Sequence, residues 1–250
     1  MEQVLLKEIF DFSSLILTAP FHYLVSANQR VYWLYLLMAI LLAGWVFIRS
    51  PVARREGAID SSLQGFRQFI RFCFPKNIFW HKSARTDYIF FVINRIAYPW
   101  LIAPLIIGTL SVMELTTDYL GKLPFVAGIL GVAGSIDEIV FTIVLLLAMD
   151  GALYVAHYLL HHIPPLWEFH KVHHSAEVLT PITVYRMHPI DDLVAGSLGG
   201  VVMGLVMGLF QTLYAEGIFS YTVVGLPVGL GAFYLFGYNL RHSHIWLPYH

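Results

Sequence analysis

The chain has 250 residues, 58% of them hydrophobic and only 12% charged, with a formal net charge of −1 and a mean hydropathy of +0.67. Soluble domains carry about 25% charged residues, so this composition excludes an ordinary soluble globule. No basic run marks a nucleic-acid surface. The single cysteine, Cys73, excludes intrachain disulfides and any multi-cysteine zinc motif.

Residues 1–30 are amphipathic and broken at Pro20, which predicts an interfacial N-terminal segment, with His22 in it, on the non-cytoplasmic side. The opening residues Glu2, Lys7 and Glu8 do not form a charged-then-apolar leader with a small-residue cleavage site, so no removed signal peptide is expected. Five apolar runs follow, at 31–48, 88–112, 139–160, 193–215 and 218–240. A helix of about 20 apolar residues crosses a bilayer. The second run is interrupted only by Asn94 and Arg95, the third by Asp150 and His157. The pattern predicts an all-α fold, a polytopic membrane helix bundle of about five spans, forming one membrane-integrated domain over 1–250.

Charge orients the bundle. Arg49, Arg54, Arg55, Arg67, Arg71, Lys76, Lys82 and Arg85 all fall between the first two runs, eight of the fifteen basic residues. Positively charged loops face the cytoplasm. Residues 49–87 are therefore expected there, and 113–137, with Glu114, Asp118, Lys122 and Asp137, outside. The third span then delivers residues 157–174 to the cytoplasmic face, and the last hairpin delivers His242 and His244 to the same face. In that hairpin Gly196, Gly200, Gly204 and Gly208 repeat every four residues on one helix face, and Gly225 and Gly229 do so on the return. Such faces let membrane helices approach closely.

Six of the twelve histidines stand in HYLLHHIPPLWEFHKVHH, residues 157–174. His157 and His161 are four apart, so a helix points both to one side. Pro164 and Pro165 end that helix and suit the first turn of the next. His170, His173 and His174 again share a face. Two short cytoplasmic helical segments meeting at the Pro-Pro corner can aim five imidazoles into one volume. His162 is rotated away and is expected beside the site or on the surface. His188, in RMHPIDD, is either a ligand or a supporting residue. His81 is expected to be structural. Asp150 lies seven residues before His157 on the same helix face. A carboxylate within a span is a functional candidate, and here the expected role is to accept from a ligand histidine N–H.

Neutral imidazole binds iron, zinc and copper. The chain lacks His-Glu-x-x-His, which counts against a metalloprotease, and it lacks Glu-x-x-His, which counts against a carboxylate di-iron bundle. Histidine ligation beside an apolar interior suits oxygen chemistry on a lipid, although ligand type alone equally allows zinc.

HYLLH followed by LWEFHKVHHS resembles the first two boxes, H-x3-H and H-x2-H-H, of the fatty acid hydroxylase/sterol desaturase superfamily. Asp150 before the first box, Arg186-x-His188-Pro189 after the second, and His242-Ser243-x-Ile245 with Leu247-Pro248 also resemble its bacterial-looking members, as does FPKNIFWHKSARTDYIFFVIN upstream. The resemblance covers residues 66–250. It implies a membrane non-haem di-iron oxidoreductase that uses O2 and external electrons to hydroxylate or desaturate a fatty acyl chain, sterol or ether lipid. It implies His157, His161, His170, His173, His174 and His242 as metal ligands, with His188, His244, Asp150 and His162 as further candidates. The expected partners are a lipid substrate, O2 and a cytochrome b5-like or ferredoxin-type electron donor, since no haem, flavin or dinucleotide motif is present. The expected location is a bacterial inner membrane, or the endoplasmic reticulum membrane in a eukaryote.

Two departures from the family pattern stand out. Tyr158 follows His157 where most members have Arg. The third box, another H-x2-H-H, would lie beyond His250, so the chain is expected to be a C-terminally truncated form. Its histidines would fill one coordination sphere, four to six ligands, but not two. A non-catalytic family member, or a membrane zinc transporter or sensor, are the alternative readings.

Overall fold

The structure is a computed structural model that describes residues 21–27, 29–49, 62–223, 226–227, 243 and 245. The chain divides into two compact units, one of Met1–Ile96, Ser175–Arg186 and Phe233–His250, the other of Ala97–His174 and Met187–Ala232. Among the described residues the regular structure is helical, apart from one antiparallel pair of two-residue strands, Thr222–Val223 and Leu226–Pro227.

The first unit contains α1 (Trp33–Arg49), α2 (Ser62–Cys73), α3 (Lys76–Phe79) and most of α4 (Lys82–Leu101). With 17 residues, α1 is at the short limit for a span. It presents Ala39, Leu42, Ala43 and Val46 to Phe69, Phe72 and Cys73 of α2. Phe66, Ile70, Arg67 and Arg71 stay exposed on α2, which gives the helix one face packed on α1 and another mixing apolar and basic residues. Arg95, within the second apolar run, is accommodated by aromatics. It donates to the Tyr23 hydroxyl at 2.5 Å and lies over the Tyr23 and Tyr185 rings.

The same unit holds a buried ion pair between residues 99 positions apart. Asp87 is 0% exposed and Arg186 4%. The Arg186 Nε donates to Asp87 Oδ1. Its Nη2 donates to the Ser83 carbonyl at 2.6 Å and to the Ser83 hydroxyl at 3.0 Å, and its Nη1 to the Ser175 hydroxyl at 3.2 Å. Thr183 Oγ1 donates to the other Asp87 oxygen at 2.6 Å. Both carboxylate oxygens and all three guanidinium nitrogens have partners, which is what makes a buried charge tolerable. Asp87→Ala leaves the guanidinium buried without its counter-charge and is expected to cost about 3–5 kcal/mol. Replacing both partners, Asp87→Leu with Arg186→Met, is expected to cost less. Unfolding of the detergent-solubilised variants checks this, and a double variant no more stable than the single one would refute it.

The second unit contains a 3-10 turn at Ala103–Leu105, then α5 (Thr109–Gly121), α6 (Ser135–His162), α7 (Pro164–His174) and α8 (Pro189–Leu213). Helices α6 and α8 are long and apolar enough to cross a membrane, and the α4–α5 pair qualifies as a third span if taken as one broken helix. The break has a local cause. Pro99 lies in the last turn of α4 and Pro104 in the 3-10 turn, and proline supplies no N–H to continue a helix. On α6, Phe141, Leu145, Ala152, Ala156 and Leu160 form one buried stripe, while Ile136, Ile139, Ile143 and Leu147 are exposed. So much exposed hydrocarbon suits a lipid-facing surface rather than water.

The segment from residue 113, expected outside the membrane, begins as helix: 113–121 completes α5, which packs along α8. The glycine face makes this possible. A Cβ on Gly200 would stand 1.9 Å from the Ile107 carbonyl oxygen, one on Gly204 2.7 Å from that of Thr109, and one on Gly208 2.8 Å from that of Met113. Numbers rise together along both helices, so α5 and α8 run parallel. The loop after α5 then ties the end of α8: Gly128 N–H donates to the Thr212 carbonyl at 2.9 Å and Leu130 N–H to that of Leu213 at 3.0 Å. These are two of the four carbonyls a helix leaves unpaired at its C-terminus, and positive φ at Gly128 and Gly131 turns the loop back to reach them. One expectation is corrected, at 218–227, expected to open a fifth span. Its described residues are non-helical and include the small strand pair; 224–225 and 228–240 lie outside the described residues.

Candidate metal centre

The corner between α6 and α7 builds the site. α6 ends at His162 and α7 starts at Pro164. Only Ile163, extended at φ −92° and ψ 110°, separates them, because prolines at 164 and 165 have no N–H to carry α6 onward. At 28 residues, α6 is about 42 Å long, against about 30 Å of hydrocarbon. Its last turns can therefore stand clear of the lipid core.

The corner brings His157, His161, His170 and His174 together: one ring nitrogen from each lies within 4.8 Å of the other three. His157 and His161 Nε2 are 3.1 Å apart, as are His170 and His174 Nε2. Across the two helices the rings of His157 and His170 are 4.9 Å apart, and those of His161 and His174 4.7 Å. Four nitrogens at about 2.0–2.2 Å from one ion stand roughly 3.3–3.6 Å apart, so the pairs at 3.1 Å would open slightly and the longer separations, within 4.8 Å, would close. Trp167 packs against the His161 ring at 5.1 Å and the His174 ring at 5.8 Å, which restrains both.

Electrostatics favour the same use. Burial, with the neighbouring imidazoles adding to it, pushes the His170 pKa from its ordinary value down to about 3. Burial and His161 lower that of His174 as well. These rings are neutral at physiological pH, and a neutral imidazole is the form that binds metal. An all-imidazole donor set of this kind suits zinc, copper, iron or nickel.

The remaining histidines lie elsewhere. His173 stacks on His170 with centroids 5.6 Å apart and sits outside the group of four. His162 stacks on Tyr158 at 3.8 Å and bonds its carbonyl, away from the cluster. His188 caps α8: its Nδ1 accepts from the Ile190 N–H at 3.2 Å, and its ring packs on Phe169. Burial lowers its pKa also. His22 is exposed. His81 accepts from the Ser83 N–H and faces Glu177 at 3.9 Å. His242 and His244 lie outside the described residues.

Asp150 does not meet the cluster. It is exposed on α6, and its separation from His157, two helical turns, is about 10.5 Å, beyond side-chain hydrogen bonding. The carboxylate that faces a cluster histidine is Asp191, whose Oδ1 lies 3.5 Å from His170 Nδ1, with both residues buried. The sequence carried a signal for it. His188-Pro189-Ile190-Asp191 is a helix start with an acid at the third position, where a side chain reaches back to the cap, and the Asp191 Oδ2 does accept from the His188 N–H at 3.1 Å.

Residues 142–249 match the family model described as Fatty acid hydroxylase. No curated protein and no solved structure matches the chain. The matched stretch spans α6 from its second turn onward, all of α7 and all four converging histidines. This part of the chain is therefore similar to the fatty acid hydroxylase family, in line with the resemblance of its first two histidine boxes to the hydroxylase/desaturase superfamily.

Proposed function

We propose that the protein is a membrane-bound, metal-dependent oxidoreductase that hydroxylates or desaturates a lipid with O2. The observation that carries this reading is the convergence of His157, His161, His170 and His174 where the apolar helix α6 meets α7, inside the family-matched segment. Iron held by these four would supply the O2-dependent oxidising power that an unactivated C–H bond requires. His173 and His242, with His188 and His244 nearby in sequence, are the residues to which a second iron would turn.

The protein's own part is positioning. Helices α6 and α7 hold neutral imidazoles toward one point, and Trp167 limits their swing. Apolar helix surfaces offer a lipid chain a path that water does not share. Hydroxylation takes one C–H, one O2, two electrons and two protons to an alcohol and one water. Desaturation takes two adjacent C–H bonds, with one O2, two electrons and two protons, to an alkene and two waters. Both need an external donor, cytochrome b5-like or ferredoxin-type. The basic residues between 49 and 85 support a cytoplasmic site, in a bacterial inner membrane or, in a eukaryote, the endoplasmic reticulum membrane. In a Cys73→Ser background, Glu177→Cys should be labelled from the cytoplasmic side and Lys122→Cys from the opposite side.

The direct test incubates membranes holding the full chain with ferrous iron, a reductase–ferredoxin pair and 18O2. Mass spectrometry of the extracted lipids should show an 18O-bearing alcohol, or an alkene formed only with O2. Tight metal binding with no O2-dependent lipid product would favour the non-catalytic family member instead.

A further inference from the structure

Asp191 turns its two carboxylate oxygens to different tasks. Oδ2 accepts from the His188 N–H at 3.1 Å and closes the first turn of α8. Oδ1 lies 3.5 Å from His170 Nδ1, a close approach short of a hydrogen bond, and neither of these two atoms has a hydrogen-bond partner. The side chains are 0% and 2% exposed. Buried polar atoms left unpaired are costly, so these two have only each other. The chemistry of the pair fixes its direction. An ionised carboxylate only accepts, so Nδ1 must carry the proton and donate. His170 Nε2 then keeps its lone pair, and Nε2 is the atom 3.1 Å from His174 Nε2 in the group of four.

We propose that Asp191 holds His170 as its Nδ1–H tautomer, aiming the Nε2 lone pair at the metal position, while the same carboxylate caps α8. Asp191 is thus a positioning residue, acting through His170, and the proposal rests on the histidine cluster being a metal centre. It ties the geometry of the centre to the start of α8: a shift of that helix end moves the partner of a ligand. The usual outer partner of a metal-bound histidine is such a carboxylate.

Asp191→Asn separates this role from simple packing. At the third helical position an amide side chain can reach back to the cap as a carboxylate does, so the amide oxygen can keep the His188 N–H. Its NH2 then faces His170 Nδ1, which must become the acceptor. The proton moves to Nε2 and occupies the lone pair the cluster needs. The experiment titrates the metal-free full chain in detergent with Co2+, followed by its visible absorption, for wild type, Asp191→Asn, His170→Ala and His162→Ala. Histidine-selective 15N NMR reads the His170 tautomer, assigned by its loss in His170→Ala. Asp191→Asn is expected to bind Co2+ about 10–100-fold more weakly than wild type, with His170 converted to the Nε2–H form. Wild-type affinity in Asp191→Asn would overturn the proposal while leaving the metal centre standing. So would an Nε2–H His170 in the wild type, which holds whether or not the variant folds. Equal Co2+ binding by wild type and His170→Ala would overturn the metal centre itself, and the proposal with it.

Discussion

His170→Ala should abolish tight metal binding by the full chain, and with it any O2-dependent lipid oxidation. The loss should exceed the ~10–100-fold that follows removal of an outer partner, because a donor atom itself is gone. His170 is the buried member of the four, so its removal also leaves Oδ1 of the Asp191 carboxylate buried with no polar neighbour. A fall in stability is therefore expected alongside the loss of metal, since an orphaned buried group costs about 1–3 kcal/mol or more. His161→Ala separates the two effects. That ring reaches the surface, so the variant should lose metal while unfolding near the wild-type temperature. His22→Ala and His162→Ala should keep both properties, the first because His22 is remote in sequence and exposed, the second because its ring turns to Tyr158. Metal content per chain and Co2+ affinity, measured on all four variants, decide the matter. A His170→Ala chain that retains wild-type affinity would exclude this residue from the centre.

Gly200→Val is expected to have the largest structural effect of any single substitution on α8. A Cβ there would meet the Ile107 carbonyl oxygen at 1.9 Å, and backbone atoms of Ile107 and Thr109 lie within 3.4 Å. A flexible side chain could swing away, but a carbonyl fixed in the turn before α5 cannot. Overpacking commonly costs about 1–3 kcal/mol, and more where the backbone must move. The cost here should exceed about 3 kcal/mol, against a total stability of about 5–15 kcal/mol for a typical fold. Gly204→Leu should behave similarly, since Val112 Cβ and the Thr109 carbonyl crowd its position at 2.5 Å and 2.7 Å. Gly199→Ala is the control: nothing lies within 4 Å of its Cβ position, and alanine favours a helix over glycine by about 1 kcal/mol. Recovery of monodisperse protein and its thermal midpoint read the difference. If Gly200→Val melted with wild type, α5 and α8 would not be packed along this face.

What local pattern can encode, the sequence showed. The apolar runs at 139–160 and 193–215 became α6 and α8, with ends shifted by a few residues, because hydrophobic length and helix geometry are both local. The corner at Pro164 followed from the missing N–H of proline. The pairing of His157 with His161, and of His170 with His174, followed from the helical repeat. The four-residue glycine spacing marked a face for close approach. It did not say which helix would come.

That partner was decided only by tertiary structure. Glu114 and Asp118 set residues from 113 onward apart from the apolar runs, yet one exposed face is all those charges need, and the opposite face of α5 fits the glycines of α8. The carboxylate beside the centre was decided in the same way. Asp150 shares a helix face with His157, but two turns of rise put it out of reach, whereas Asp191, 21 residues after His170 in the chain, is brought to 3.5 Å. The Asp87–Arg186 pair closes across 99 residues. Periodicity fixes which side of an element a residue occupies. Which buried charge or N–H it must satisfy depends on the elements that pack there, and that is settled only when desolvation forces each buried polar atom to find its partner.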